Sequence, residues 1–414
     1  MSEKLDKHIL KNGMVILGEP IEQVGSAAFT FLLPSGSSRF PYGCCGAGAV
    51  ITDWIFRGAG DRNSRELIDA LDSLGLHRNT SMNSSHISLG AALEASNLEA
   101  AIDIYADIIL RPTLDVDQFA LSKQLAMHDL TGLDDDPRHK VMLNLCEQFY
   151  PTPLGLPAMG KVDELERLEP EGTSSIIKEN FNLSQTIFAV AGKYKFSAIC
   201  KRLEKLFNTP QPEFDTKITI GEKGEDRTHF PHDGAQVHIG LMTDTAAVTT
   251  EDYYNARTAV SVLSGGMSSR LFTEVREKRG LCYAIGAQYN SLKEMAGVSC
   301  YAGTTPDKAQ QTLDVIVTEF ARLAEGVSEN ELQRAKVGLK STLIMQSEST
   351  ISRAGGIAHD YYLFGRVRPL EEIKKKFEEI TVDSIGDFLT SNKFGDYTVV
   401  TIGPKSIELK KQKN

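Results

Sequence analysis

The chain lacks any apolar run approaching the roughly 20 residues that a membrane-spanning helix requires, so no membrane is expected among its partners. It also lacks the apolar core of a secretory signal: the opening Met1-Ser2-Glu3-Lys4-Leu5-Asp6-Lys7 carries charges of both signs. A soluble cytoplasmic protein is expected. Cysteine is scarce. The six present (Cys44, Cys45, Cys146, Cys200, Cys282, Cys300) form no Cys-x-x-Cys pair, which excludes the common zinc and redox spacings and leaves them as small buried apolar groups. An excess of basic charge is missing too. The net charge is -10, whereas phosphate backbones demand clustered Lys and Arg, so nucleic acid is excluded as a partner. Ser264-Gly265-Gly266 suggests a phosphate cradle but lacks the Gly-Lys-Ser/Thr ending of one.

What is present is length and repetition. With 414 residues, 41% of them hydrophobic and 24% charged, the chain can bury two or more cores. Ser88-Leu89-Gly90-Ala91, followed by a helical stretch from Leu98, resembles Ser299-Cys300-Tyr301-Ala302 followed by one from Ala309, 211 residues later. Leu114-Asp115-Val116-Asp117 pairs with Val327-Ser328-Glu329-Asn330 at an offset of 213. Phe188-Ala189-Val190-Ala191-Gly192 pairs with Val399-Val400-Thr401-Ile402-Gly403, again at 211. Three matches in one order indicate two copies of a single domain.

Within each copy, strand-like and helix-like periods come in runs. Val15-Ile16-Leu17 and Ala27 to Leu33 are short apolar stretches bounded by turn residues, as strands are. Leu67, Ile68, Leu71 and Leu74 follow helical spacing, with Ser64 as the expected N-cap and Gly75 past the end. Asn97 is expected to cap the next helix, which stops at Arg111-Pro112. Such runs predict an α+β fold: two homologous sandwich domains, each a mostly antiparallel sheet with helices layered on one face. The expected limits are 1–215 for the first domain, 216–232 for a linker rich in Pro, Gly and charge, and 233–414 for the second.

The stretch Gly46-Ala47-Gly48-Ala49-Val50-Ile51-Thr52-Asp53-Trp54-Ile55-Phe56-Arg57-Gly58 resembles the inverted-zincin peptidases of the insulinase/pitrilysin type, which include mitochondrial processing peptidase. Their signature is His-x-x-Glu-His inside a Gly to Phe-Lys/Arg-Gly frame. Aligned on that frame, Ala49 and Asp53 stand at the two His positions and Thr52 at the Glu that activates water. The family's third ligand, a Glu opening a Glu-Ile-x-x-x-x-Asp-x-Pro pattern, corresponds to Asp129 in Asp129-Leu130-Thr131-Gly132-Leu133-Asp134-Asp135-Asp136-Pro137, 76 residues beyond Asp53. Ala49 offers no donor, Thr52 is no base near neutral pH, and Asp129 is one methylene short. Hydrolytic zinc chemistry needs three protein ligands, an open position and a carboxylate base. The expectation is therefore no metal on this chain. An alternative divalent site would use Asp53, Asp129 and His128. His229, His232 and His238 are read as exposed loop residues, and His77 and His86 as surface or packed ones.

The second copy carries Gly265-Gly266-Met267-Ser268-Ser269-Arg270-Leu271-Phe272 and Arg276-Glu277-Lys278-Arg279-Gly280-Leu281-Cys282-Tyr283, closely similar to a longer segment of the same family. The resemblance implies that Arg276 and Tyr283 bind substrate across a cavity. Chemically, an Arg fork and a Tyr hydroxyl supply fixed donors to a developing oxyanion without adding a base. On residues alone, Arg276 also suits an ion-pair cluster spanning Glu274 to Arg279, and Tyr283 a packed strand. The likeness runs from Ile9-Leu10-Lys11-Asn12-Gly13 to Val399-Val400-Thr401-Ile402-Gly403. It implies a substrate-binding, non-catalytic subunit of a two-chain peptidase for unfolded peptides or presequences. Its heterodimer partner would be a homologue bearing His-x-x-Glu-His and zinc. The alternatives are a structural scaffold, or a self-sufficient hydrolase with an unusual metal site.

Overall fold

The computed structural model describes residues 5–408. The first sheet comprises β1 (Asp6–Ile9), β2 (Val15–Pro20), β3 (Ser26–Leu33), β6 (His77–Met82), β7 (Ile87–Glu94) and β8 (Ile187–Gly192), with a two-residue hairpin of β4 (Gly58–Ala59) and β5 (Arg62–Asn63) beside it. The second comprises β9 (Arg227–Pro231), β10 (Val237–Thr245), β11 (Cys282–Ser291), β12 (Ala296–Thr304) and β13 (Thr398–Gly403). Strand order is β1-β2-β8-β3-β7-β6 in one and β11-β12-β10-β13-β9 in the other. Read from the opposite edge, the second repeats the first without β1, including its one parallel pair, β2 with β8 and β9 with β13. All other pairings are antiparallel.

Period-two alternation in β3 sorts its side chains. Ala27, Phe29, Phe31 and Leu33 enter the main helical core, where Phe29 meets Tyr105 edge-to-face at 4.9 Å. Ala28 and Leu32 point the other way, yet they are buried as well. Their cover is the helix Thr350–Phe364, drawn from the second half of the chain. Its Ala354 and Ala358 lie on Ala28, Ala191, Leu32 and Ala189, small side chains that let helix and sheet approach closely. The Arg353 guanidinium pairs with the Glu19 carboxylate of β2 in a fork, Nε at 2.9 Å from Oε1.

The second sheet shows the reciprocal arrangement. Val237, Ile239 and Leu241 face their own helices, while the opposite face receives the helix Pro137–Phe149 from the first half. Gly240 leaves room for Val141 and Leu145, and Gly297 for Phe149. The compact units are therefore discontinuous. One consists of the described part of Met1–Gly132 with Thr152–Gly221 and Gln346–Val367. The other consists of Leu133–Pro151, Glu222–Met345 and the described part of Arg368–Asn414. The change at Gly221/Glu222 lies inside the expected 216–232 stretch, and the two exchanged segments are what continuous limits of 1–215 and 233–414 leave out.

Two helix starts differ from expectation. Asn63, not Ser64, caps the helix Ser64–Ser73, because a capping box with Glu66 satisfies two backbone N–H groups from one position earlier. Asn97 makes no side-chain cap; its amide donates to the Leu74 carbonyl instead. Among the described residues, no helix is long and apolar enough to cross a membrane.

Candidate functional site

The helix Ala47–Trp54 is held on two sides. Its Trp54 ring is buried, donates from Nε1 to the Asp115 carbonyl at 2.8 Å and stands edge-to-face on Phe119 at 4.8 Å, which locks it to the helix Val116–Thr131. On the other side Gly48 has no space for a Cβ, because Met82 of β6 fills it. Of the polar side chains on this helix, Thr52 and Asp53 are both engaged by neighbours within the fold.

Thr52 donates back to the Gly48 carbonyl at 2.9 Å, an internal helix bond that occupies its hydroxyl proton. Asp53 pairs with Arg57 one turn on and accepts from Ser122 at 2.6 Å. Asp129 and His128 are exposed near the end of the helix Val116–Thr131. No group of three His, Cys, Asp or Glu side chains able to hold a metal occurs among the described residues. This donor set does not fit zinc: one position has no heteroatom, one is self-satisfied, and the carboxylate is neutralised by a guanidinium.

The segment after Gly266 divides into a structural part and an available part. Arg270 is a structural hub. It grips Glu331 through Nε at 2.7 Å and Nη2 at 3.1 Å, and donates to the Arg322 and Gly326 carbonyls. That fork, with the Ser328 N–H and hydroxyl, holds the Glu331 carboxyl down at about 2. Phe272–Glu277 then winds as a π-helix, with the Lys278 N–H reaching the Thr273 carbonyl, a winding common at functional sites.

Lys278 and Arg279 both bind Glu274, so the ion-pair cluster expected here exists without Arg276. The Arg276 guanidinium is exposed, stacks on the Phe272 ring at 4.8 Å, and makes no hydrogen bond or ion pair among the described residues. Its charge acts on the thiol of Cys282, which burial pushes up to about 11.

Tyr283 is not a packed strand residue. The β11–β12 register slips between Cys282 and Ala284, opposite Thr304 and Gly303, so Tyr283 is the extra residue of a β-bulge and is re-aimed by it. Its side chain is 50% exposed, and the ring lies over Gly303, where a Cβ would come within 2.4 Å of the hydroxyl oxygen. Three residues around it, Gln236, Tyr301 and Arg138, had no assigned role in the sequence reading, and a fourth, His238, was placed elsewhere. Gln236 accepts from the Tyr283 hydroxyl at 2.6 Å. Tyr301 lies 3.5 Å beyond, and His238 Nδ1 is 2.9 Å from the Tyr301 hydroxyl. Arg138, from the exchanged helix, stacks on the Tyr301 ring at 5.0 Å.

His238 is therefore no exposed loop residue. Period-two placement in β10 was the signal available, and desolvation lowers its pKa. His229 instead meets Thr401 across the β9–β13 pair, so the three histidines do not converge. Of the cysteines, Cys45 and Cys300 are buried, and the other four are half-buried.

Comparison with known proteins gives the family and the fold. Residues 32–162 match the model of the insulinase family, peptidase family M16, and residues 174–339 match that of the peptidase M16 inactive domain, which contains Arg276 and Tyr283. An "uncharacterized zinc protease" of Rickettsia felis is 28% identical over 98% of this chain and 99% of its own length. A Helicobacter pylori protease structure superposes with a TM-score of 0.90 at 19% identity, covering 98% of this chain and all of that one. A Pseudomonas fluorescens structure described as a peptidase M16 inactive domain gives 0.88 at 18%, with the same coverage. Two adjoining family models spanning both repeats, a full-length relative and the shared two-sheet fold agree: this chain belongs to the insulinase (M16) peptidase family.

Proposed function

We propose that this chain is the non-catalytic, substrate-holding subunit of a two-chain zinc-dependent peptidase acting on unfolded peptides or presequences. Its partner is a homologous subunit that carries His-x-x-Glu-His, with which it forms a heterodimer. The zinc and the hydrolytic water belong to that partner, since Ala49, Thr52, Asp53 and Asp129 have nothing to hold them. This chain supplies grip. Arg276 binds and orients a peptide carbonyl through its guanidinium fork, and Tyr283 adds a hydroxyl donor as negative charge develops on that oxygen. The outer edge of β11, with no strand neighbour among the described residues, can pair with peptide backbone irrespective of side chains.

The single observation that carries this reading is the Arg276 guanidinium. It is exposed on an aromatic shelf, close enough to act electrostatically on Cys282 beside the bulged Tyr283, and unspent on internal partners. A side chain kept only for stability would be paired, as Arg270 is.

The test mixes the purified chain with a His-x-x-Glu-His-bearing homologue and follows cleavage of a fluorogenic unfolded peptide. Cleavage is expected to need both chains. Arg276→Ala should lower it about a hundredfold and Tyr283→Phe about tenfold, with association of the two chains unchanged. Undiminished cleavage in both variants overturns the proposal and leaves a scaffold.

A further inference from the structure

We infer that Gln236 is a positioning residue for Tyr283 and that it acts by reversing the direction of their hydrogen bond. The inference rests on the reading of Tyr283 as a substrate donor. Tyrosine has a single hydroxyl proton, and here that proton is given to Gln236 Oε1 at 2.6 Å. In this state the Tyr283 oxygen presents only lone pairs outward. It can accept from a peptide N–H but cannot donate to a carbonyl oxygen.

A half-turn of the Gln236 amide puts Nε2 where Oε1 was. The amide then donates, the Tyr283 oxygen accepts, and the Tyr283 proton is released towards substrate. Glutamine carries donor and acceptor on one planar fork, so the exchange needs no backbone movement. Glutamate of the same shape can only accept, and leucine can do neither.

The surroundings fit a device for orienting one hydroxyl. Gln236 is exposed on the turn before β10, so its amide satisfies no buried group. Behind Tyr283 the support is rigid: Tyr301 and His238 are both buried and linked at 2.9 Å, Arg138 stacks on Tyr301, and Gly303 lets the Tyr283 ring lie flat. Tyr301, at 3.5 Å, is too far to compete with Gln236 for the proton. Among the described residues, Gln236 is therefore the close partner of the Tyr283 hydroxyl that can exchange acceptor for donor.

Steady-state cleavage of a fluorogenic unfolded peptide by the two-chain mixture tests this, with kcat and KM measured for Gln236→Glu, Gln236→Leu, Tyr283→Phe and the double variant of Gln236→Glu with Tyr283→Phe. Gln236→Glu should lower kcat about tenfold, with KM changed less than about twofold, because it holds the proton back from the transition state. Gln236→Leu should cost only about twofold to threefold, and Gln236→Glu should cost nothing further in the Tyr283→Phe background. A Glu variant as active as wild type, or a Leu variant equally or more impaired, overturns the inference while a loss in Tyr283→Phe keeps the substrate-holding reading intact. No loss in Tyr283→Phe sinks both.

Discussion

The helix Ala47–Trp54 and the segment Phe272–Tyr283 are the two places where this family's chemistry is expected, and they use their polar atoms in opposite ways. In the first, Thr52 bonds its own helix and Asp53 is enclosed by Arg57 and Ser122. In the second, Glu274 absorbs Lys278 and Arg279, Glu331 absorbs Arg270, and Arg276 is left over beside a tyrosine lifted out of register by a bulge. Satisfied groups stabilise; an exposed, unpaired donor on a rigid support contributes little to the fold and is free to bind. The contrast teaches that a polar group's availability can be read from the partners it has taken.

The contrast is sharpest between two arginines six residues apart. Arg270→Ala leaves the largely buried Glu331 carboxylate without its cation and should cost about 3 kcal/mol of stability, read from urea unfolding. Arg276→Ala should change stability by less than about 0.5 kcal/mol while abolishing most peptide cleavage. Equal unfolding midpoints for the two would erase the division.

Acid probes the same pair. Because the folded Glu331 pKa is depressed to about 2, its contribution is complete above the ordinary glutamate range near 4.3 and is lost as pH falls towards 2. Urea midpoints between pH 6 and pH 3 should therefore drop less in Glu331→Gln than in wild type. A smaller effect is expected in the first region, where Asp53→Ala removes a partly exposed pair and the Ser122 acceptor. It should cost about 1 kcal/mol in thermal or urea unfolding and leave two-chain cleavage unchanged. The smallest is zinc uptake: metal analysis after dialysis against zinc should find no stoichiometric ion, and an equivalent of bound zinc would undo the reading of the first region.

Much of this was legible in the residues. The repeat offset of 211 located equivalent strands, β7 with β12 and β8 with β13, because it depends on patterns local in sequence. The exchange of Pro137–Phe149 and Thr350–Phe364 was not legible. An apolar helix face records that it will be covered but not by which sheet. His238 was misread for a related reason: a nearby loop composition outweighed its place in the alternation of β10. The freedom of Arg276 was equally hidden, since its four charged neighbours within Glu274 to Arg279 allow several pairings and only geometry selects which cation is left over. The sequence pointed to Ser64 rather than Asn63 because both residue types cap well, and Glu66, three positions beyond Asn63, decides for Asn63.

The crossed helices also bear on synthesis. When a ribosome has released the first half of this chain, Leu17, Ala28, Leu32, Ile187 and Ala189 form a greasy sheet surface whose lid has yet to be translated, and it stays bare until Phe364 emerges. Such an apolar face, open from Gly192 to Phe364, is a surface prone to aggregation while the chain is made. Halves made as separate polypeptides would each carry an orphan helix and an unroofed sheet, and would be rescued only by one another.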